Sequence, residues 1–161
     1  MDSKNDVILH KPKFQELSFR EEYMQDKDTM SYNNKYGGAV GFPKNKWEEW
    51  FKRWMLDESG KHFYRYLLDV KNHQFVGDVA YYLDQSQNIY ICSVVVLAKF
   101  RGKGYGTQGL KLLFQSAKDN GIKYLYDNID IDNKSSIRLF KQNGFIEVGN
   151  DGKCVMLRKE I

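Results

Sequence analysis

An α+β fold, one mixed and mostly antiparallel sheet with helices on both faces, is what this 161-residue chain predicts. Three observations predict it. Apolar residues recur at helical spacing in the first sixty positions, strand-like segments with tight connections fill His62 to Leu97, and a strand–helix–strand crossover then leads into a short helix and a hairpin. The length suits a single domain with a substantial core and is too short for two ordinary ones.

Val7 to His10 reads as a first strand. Lys13 to Met24 reads as a helix with Phe14 and Leu17 on its apolar side. Ser31 to Lys46 holds Asn33, Asn34, Gly37, Gly38, Gly41 and Pro43, so it is expected to be loop. Trp47, Trp50, Phe51 and Trp54 then recur at helical spacing, giving a helix to about Leu56 whose aromatic stripe reads as core. His62 to Val70, Gln74 to Leu83 and Ile89 to Leu97 are expected to form a meander of three strands. A helix from Tyr105 presents Leu110, Leu113, Phe114 and Ala117 on one side and stops at Asn120-Gly121. Ile122 to Ile131 is the strand that completes a parallel crossover, and Lys134 to Gln142 is a helix ending at Asn143-Gly144. Phe145 to Val148 and Lys153 to Arg158 close the chain as a hairpin around Asn150-Asp151-Gly152. The count is about six to seven strands.

Composition excludes several classes. The net charge of +4 is mild and its cations are interleaved with acids, which argues against a nucleic-acid surface. The two cysteines, Cys92 and Cys154, lie far apart, and His10, His62 and His73 have no ligand spacing, so neither a disulfide framework nor a metal site is expected. Asp2, Lys4 and Asp6 occupy the place of a leader's apolar stretch, and the run Ile91 to Ala98 is too short to span a bilayer. A cytoplasmic protein without a membrane partner is the expectation.

Val94 to Gly106 carries the most chemistry. A β-branched run feeds Arg101-Gly102-Lys103-Gly104-Tyr105-Gly106, and a helix follows at once. Free N–H groups and the positive end of the helix dipole meet there, with glycines that let backbone approach an anion closely, so a phosphorylated ligand is expected. The spacing is neither that of a Walker A loop nor a dinucleotide fingerprint.

About thirty residues on, Asn133 to Phe145 spells N-x-x-S-x-x-L-F-x-x-x-G-F. With R-x-x-G-x-G and the preceding V-x-V, this resembles the GNAT superfamily of acetyl-CoA-dependent N-acetyltransferases, over nearly the whole chain. The resemblance implies one N-acetyltransferase domain over residues 1–161, with acceptor-side helices in 1–60, an acetyl-CoA-binding core in 88–145 and a splayed central pair of parallel strands. It implies acetyl-CoA as acyl donor, without a metal. The pyrophosphate would lie on Arg101, Gly102, Lys103, Gly104, Tyr105, Gly106 and Thr107, the pantetheine on Val94, Val95 and Val96, and the cofactor beside Asn133, Ser136 and Phe140. Asn133 also suits a helix N-cap.

Many members carry a tyrosine where this chain has Phe140, and it protonates the departing thiolate. Ser136, Tyr124, Tyr126 or a water could replace it. Asp78 and Asp127 are candidate general bases, carboxylates among apolar residues where burial would raise their pKa, though each also fits the solvent side of an alternating strand. Asp130 and Asp132 fit a helix start. Tyr32 and Tyr36 are candidate acceptor contacts. The expected activity is direct acetyl transfer to a primary amine of a small molecule or protein, with a homodimer left open. A non-catalytic acyl-CoA-binding module is the alternative.

Overall fold

Period-two alternation along the central strands decides where the helices must lie. The computed structural model describes residues 6–161, so Asp2, Lys4 and the first part of the 1–60 segment lie outside the described residues. In it β2 (His62–Asp69), β3 (Gln74–Asp84) and β4 (Ile89–Val96) pair antiparallel in chain order. Phe63, Arg65 and Leu67 stand opposite Tyr81, Val79 and Gly77, while Tyr64 and Tyr66 on the other face stand opposite Ala80 and Asp78. Both faces carry apolar side chains, so both need a cover.

The first face is covered by α3 (Tyr105–Asp119) and α4 (Lys134–Gln142). Their Leu110, Leu113, Ala117 and Phe140 join Leu67, Val79, Tyr81, Leu125 and Leu157 in the main core. The second is covered by α1 (Leu17–Met24) and α2 (Trp47–Phe51), which bring Phe19, Trp50 and Phe51 onto Tyr64, Tyr66 and Ala80. Helices therefore occupy both faces, as expected.

With β1 (Val7–His10), β5 (Tyr124–Asp130), β6 (Ile146–Asn150) and β7 (Cys154–Glu160) the described residues form a sheet of seven strands in the order β1-β2-β3-β4-β5-β7-β6. Among the described residues β4–β5 is the only parallel pair, and its register holds one position, Ile91 opposite Tyr126. Beyond that point the two strands no longer pair with each other, β4 keeping β3 and β5 keeping β7 on their outer edges, so the expected splay is present and opens a fork in the middle of the sheet.

Two local expectations change. The segment expected to be loop winds into 3₁₀ turns over Thr29–Tyr36, because its polar side chains do not oppose a tight turn, and Gly37 at φ +108° ends it. The helix expected to reach Leu56 is regular only to Phe51, and Lys52–Leu56 continues as a wider π turn. Among the described residues no helix is long and apolar enough to cross a membrane.

Candidate active site

A cavity of about 1000 Å³ fills the fork between β4 and β5. Its walls are Ser93 to Val96, Asp127 to Asp130, the glycine turn with the first turn of α3, the start of α4, and residues 31–36. Gly102 and Gly104 take φ values of +77° and +87°, a conformation that other residues adopt at a cost. Gly104 is the N-cap of α3 and carries no side chain to accept from the helix, so the first-turn N–H groups have no capping side chain. At Gly106 a Cβ would come within 3.1 Å of Leu139 Cδ2, so glycine there allows α3 to approach α4. The start of α4 is built differently: the Asn133 side chain accepts from the Ser136 N–H at 3.4 Å, the N-cap its position suggests.

Arg101 does not offer a free charge to this cleft. Its guanidinium donates to the carbonyls of Val96 (3.2 Å), Asp28 (3.3 Å) and Thr29 (2.8 Å), while Thr29 Oγ1 accepts from the Ala98 N–H at 2.9 Å. These bonds anchor one end of the Thr29–Tyr36 segment. Its other end crosses the cleft, where Lys35 pairs with Asp130 and Asp132 and the Tyr36 hydroxyl donates to Asp130 at 3.1 Å. Asp130 and Asp132 thus hold this strap, a role beyond the helix start their position suggested. The Tyr105 hydroxyl donates to Asp69, which holds its phenol up at about 12.

Asp127 is the first residue of β5 past the last parallel pairing, at the apex of the fork. Burial pushes its carboxyl up to about 7, opposed by a bond from the Asn128 backbone N–H.

A second cavity of about 240 Å³ adjoins the first, and both are lined by Tyr32, Ser93 and Val95. It lies on the face covered by α1 and α2, walled by Tyr23, Trp50, Trp54, Tyr64 and Tyr82 around Arg20 and Asp78. Asp78 is 2% exposed, which overturns its reading as a solvent-side residue: its face of β3 is the one the helices cover. The Tyr23 and Tyr64 hydroxyls donate to it, and Arg20 Nη1 lies at 3.9 Å. Burial raises its carboxyl above the ordinary value, against the pull of Arg20 and the two hydroxyls. The Arg20 guanidinium also sits over the rings of Phe42 (5.0 Å), Trp50 (4.9 Å) and Tyr64 (5.5 Å).

The family model described as Acetyltransferase (GNAT) family matches residues 18–145. The chain belongs to the GNAT family of acetyltransferases. An uncharacterized N-acetyltransferase of Methanocaldococcus jannaschii is 29% identical over 114 residues, 66% of this chain, and the chain spans about half (48%) of that relative's length. Among solved structures, a GNAT-family acetyltransferase of Streptococcus pneumoniae superposes with a TM-score of 0.77 at 14% identity, covering 96% of this chain and 99% of its own. The microcin C7 self-immunity acetyltransferase MccE, in complex with acetyl-CoA and AMP, gives 0.75 at 19% identity, covering 99% and 94%. Spermidine N-acetyltransferase of Vibrio cholerae, in complex with CoA and spermine, gives 0.72 at 15% identity, covering 97% and 95%.

In this GNAT domain Val94, Val95, Val96, Arg101, Gly102, Gly104, Tyr105, Gly106, Thr107, Asn133, Ser136 and Phe140 all line the large cleft, as do Asp127, Tyr32 and Tyr36. Two expected residues do not. Lys103, between the two left-handed glycines, is exposed with its Nζ 5.9 Å from the Phe100 ring, and Asp78 faces the smaller cavity. Phe140 is 1% exposed and packs on Phe145 at 4.8 Å. In the aromatic stripe expected to be core, Trp47 is buried, whereas Trp50 and Trp54 line the smaller cavity. Sequence reasoning missed that cavity altogether. The one available signal was Arg20, a cation spaced i+3 from Leu17 and i−3 from Tyr23, on the buried side of its helix.

Proposed function

We propose that this protein transfers an acetyl group from acetyl-CoA directly to a primary amine of a small-molecule or protein acceptor. One observation carries the reading: a continuous cleft runs from the uncapped N-terminus of α3 to an unusually basic carboxylate, Asp127, at the β4–β5 fork. The residues present suit the cosubstrate. The cleft is large enough for an elongated ligand, its glycine turn has no side chain blocking the first-turn N–H groups, and structures of the same fold are recorded with acetyl-CoA or CoA. Acetyl-CoA supplies an acetyl thioester, the electrophile that an uncharged amine attacks.

The chain's own groups divide the remaining work. The N–H groups of Gly104 to Thr107 bind pyrophosphate, and the unpaired edge of Val94 to Val96 aligns the pantetheine as an added strand would. Asp127 takes the proton that the acceptor's ammonium must lose before it can act as a nucleophile. Ser136 Oγ holds a transferable proton on the α4 side, where Phe140 has none. Asp78, already accepting from two hydroxyls beside Arg20, balances charge in the smaller cavity and leaves the proton transfer to Asp127. Residues 6–60 provide the acceptor side and 88–145 the acetyl-CoA core.

The test is thiol release from acetyl-CoA with a panel of amines, alongside thermal stabilisation by CoA. Turnover that Asp127→Asn removes, with CoA binding retained, supports the reading. Stabilisation by CoA without turnover of any amine would identify a non-catalytic acyl-CoA-binding module.

A further inference from the structure

We infer that the acceptor is an arylalkylamine: one primary amine on a short arm, carried by a flat, uncharged ring that lies in the smaller cavity. The inference rests on the transferase reading for the word acceptor, and its structural basis is separate.

The two cavities meet at Tyr32, Ser93 and Val95, on the edge of β4 that borders the fork. A molecule filling the smaller one therefore ends beside the apex where Asp127 sits, with its far end among Trp50, Trp54, Tyr64 and Tyr82. Rings are prominent in these walls, and two of them are available: Tyr32 at the junction is 47% exposed and Tyr82 is 40% exposed. Flat apolar walls favour a flat apolar body by offset or edge-to-face packing.

Charge decides against the more highly charged amines. Among the described residues Asp78 is the only carboxylate lining this cavity, and it already accepts from two hydroxyls beside Arg20. The faces of Trp50 and Tyr64, which could otherwise hold a second ammonium, lie under the Arg20 guanidinium. A polyamine or an aminoglycoside would bring its extra cations to a fixed cation beside a carboxylate that is already engaged. Size agrees: about 240 Å³ suits a single ring system and falls below the roughly 300–1,000 Å³ of pockets for drug-sized ligands.

The test compares 2-phenylethylamine and tryptamine with ethylamine, spermidine and kanamycin. It reads kcat/KM by thiol release and, independently of turnover, binding by quenching of tryptophan fluorescence in the presence of CoA. The expected result is a kcat/KM for the arylalkylamines at least about tenfold above that for spermidine and kanamycin. Trp54→Ala and the milder Tyr82→Ser should raise KM for 2-phenylethylamine by at least about tenfold more than KM for ethylamine, with CoA affinity unchanged. Saturable quenching by 2-phenylethylamine that Tyr82→Ser weakens, with the tryptophans retained, supports the pocket even without thiol release, a result that would count against the transferase reading alone. Preference for spermidine or kanamycin overturns the inference and leaves the transferase reading standing. Equal losses for ethylamine and 2-phenylethylamine in both variants also overturn it.

Discussion

The two cavities of this protein lie side by side on β4 and are made of different material. The larger is chiefly a backbone site: a fork between two strands, a glycine turn and a helix N-terminus left without a capping side chain. The smaller is a side-chain site, its rings and its Arg20–Asp78 pair contributed by α1, the Thr29–Tyr36 strap, α2 and the π turn after it, β2 and β3. Backbone recognition suits a ligand part that never varies, such as a pyrophosphate and a chain of amides. Side-chain recognition can be rewritten one residue at a time without disturbing the fold, so it suits the partner that changes from one family member to another.

The comparison breaks most easily at Asp127. Asp127→Asn should lower kcat by about 10²–10⁴-fold, the usual scale of general base catalysis, with CoA affinity within about twofold by calorimetry. In the unsubstituted protein kcat/KM should fall as pH drops below about 7, and that limb should vanish in the variant. Stability runs the other way. The folded carboxyl binds its proton more tightly than the unfolded one, so its contribution is fully present below the unfolded value and is lost as pH rises through about 7. Asp127→Asn should therefore melt at a higher temperature than the parent at pH 8 and show no such gain at pH 4.

Gly104→Asp tests the backbone site directly. A carboxylate at that N-cap would satisfy and neutralise the first-turn N–H groups, and should weaken CoA binding by about a hundredfold or more, at about 1.4 kcal/mol per tenfold. Unchanged CoA affinity in a folded variant would remove the pyrophosphate from this turn.

Arg101→Lys asks whether the motif's cation binds ligand or holds the strap. An ammonium cannot reproduce three separate bonds to Val96, Asp28 and Thr29, so amide exchange over Thr29–Tyr36 should quicken by the equivalent of about 1–3 kcal/mol. A pure loss of CoA affinity without faster exchange would return Arg101 to the phosphate site.

The smallest effect is expected at Phe140. Phe140→Tyr places a hydroxyl at the wall of the cleft from a side chain that is otherwise buried, and should raise kcat by no more than about tenfold. A larger gain would mean that proton delivery to the thiolate limits the reaction.

Legibility in the sequence follows the same division. The turn at Arg101–Gly106 and the cap at Asn133 are local, since glycine conformation and capping depend on neighbours a few positions away, and the structure brings them together around the large cleft. The strap was not legible, because most of Thr29–Tyr36 falls in the stretch from Ser31 to Lys46 that reads as loop until Arg101 and Asp130, more than seventy and ninety positions on, are placed against it. Asp78 was half legible. Its apolar setting suggested burial, but alternation cannot say which face of a strand a helix will cover.

By itself, then, the sequence determined the order of elements, the glycine turn and the cap of α4, since these rest on backbone sterics and on the hydrogen-bonding reach of adjacent residues. Only the tertiary structure decided that Arg101 would tie down a strap, that Asp78 would be buried beside Arg20, and that Trp50 and Trp54 would face a cavity. Those outcomes depend on which surfaces meet across the sheet, a contest of packing and desolvation among residues far apart in the chain.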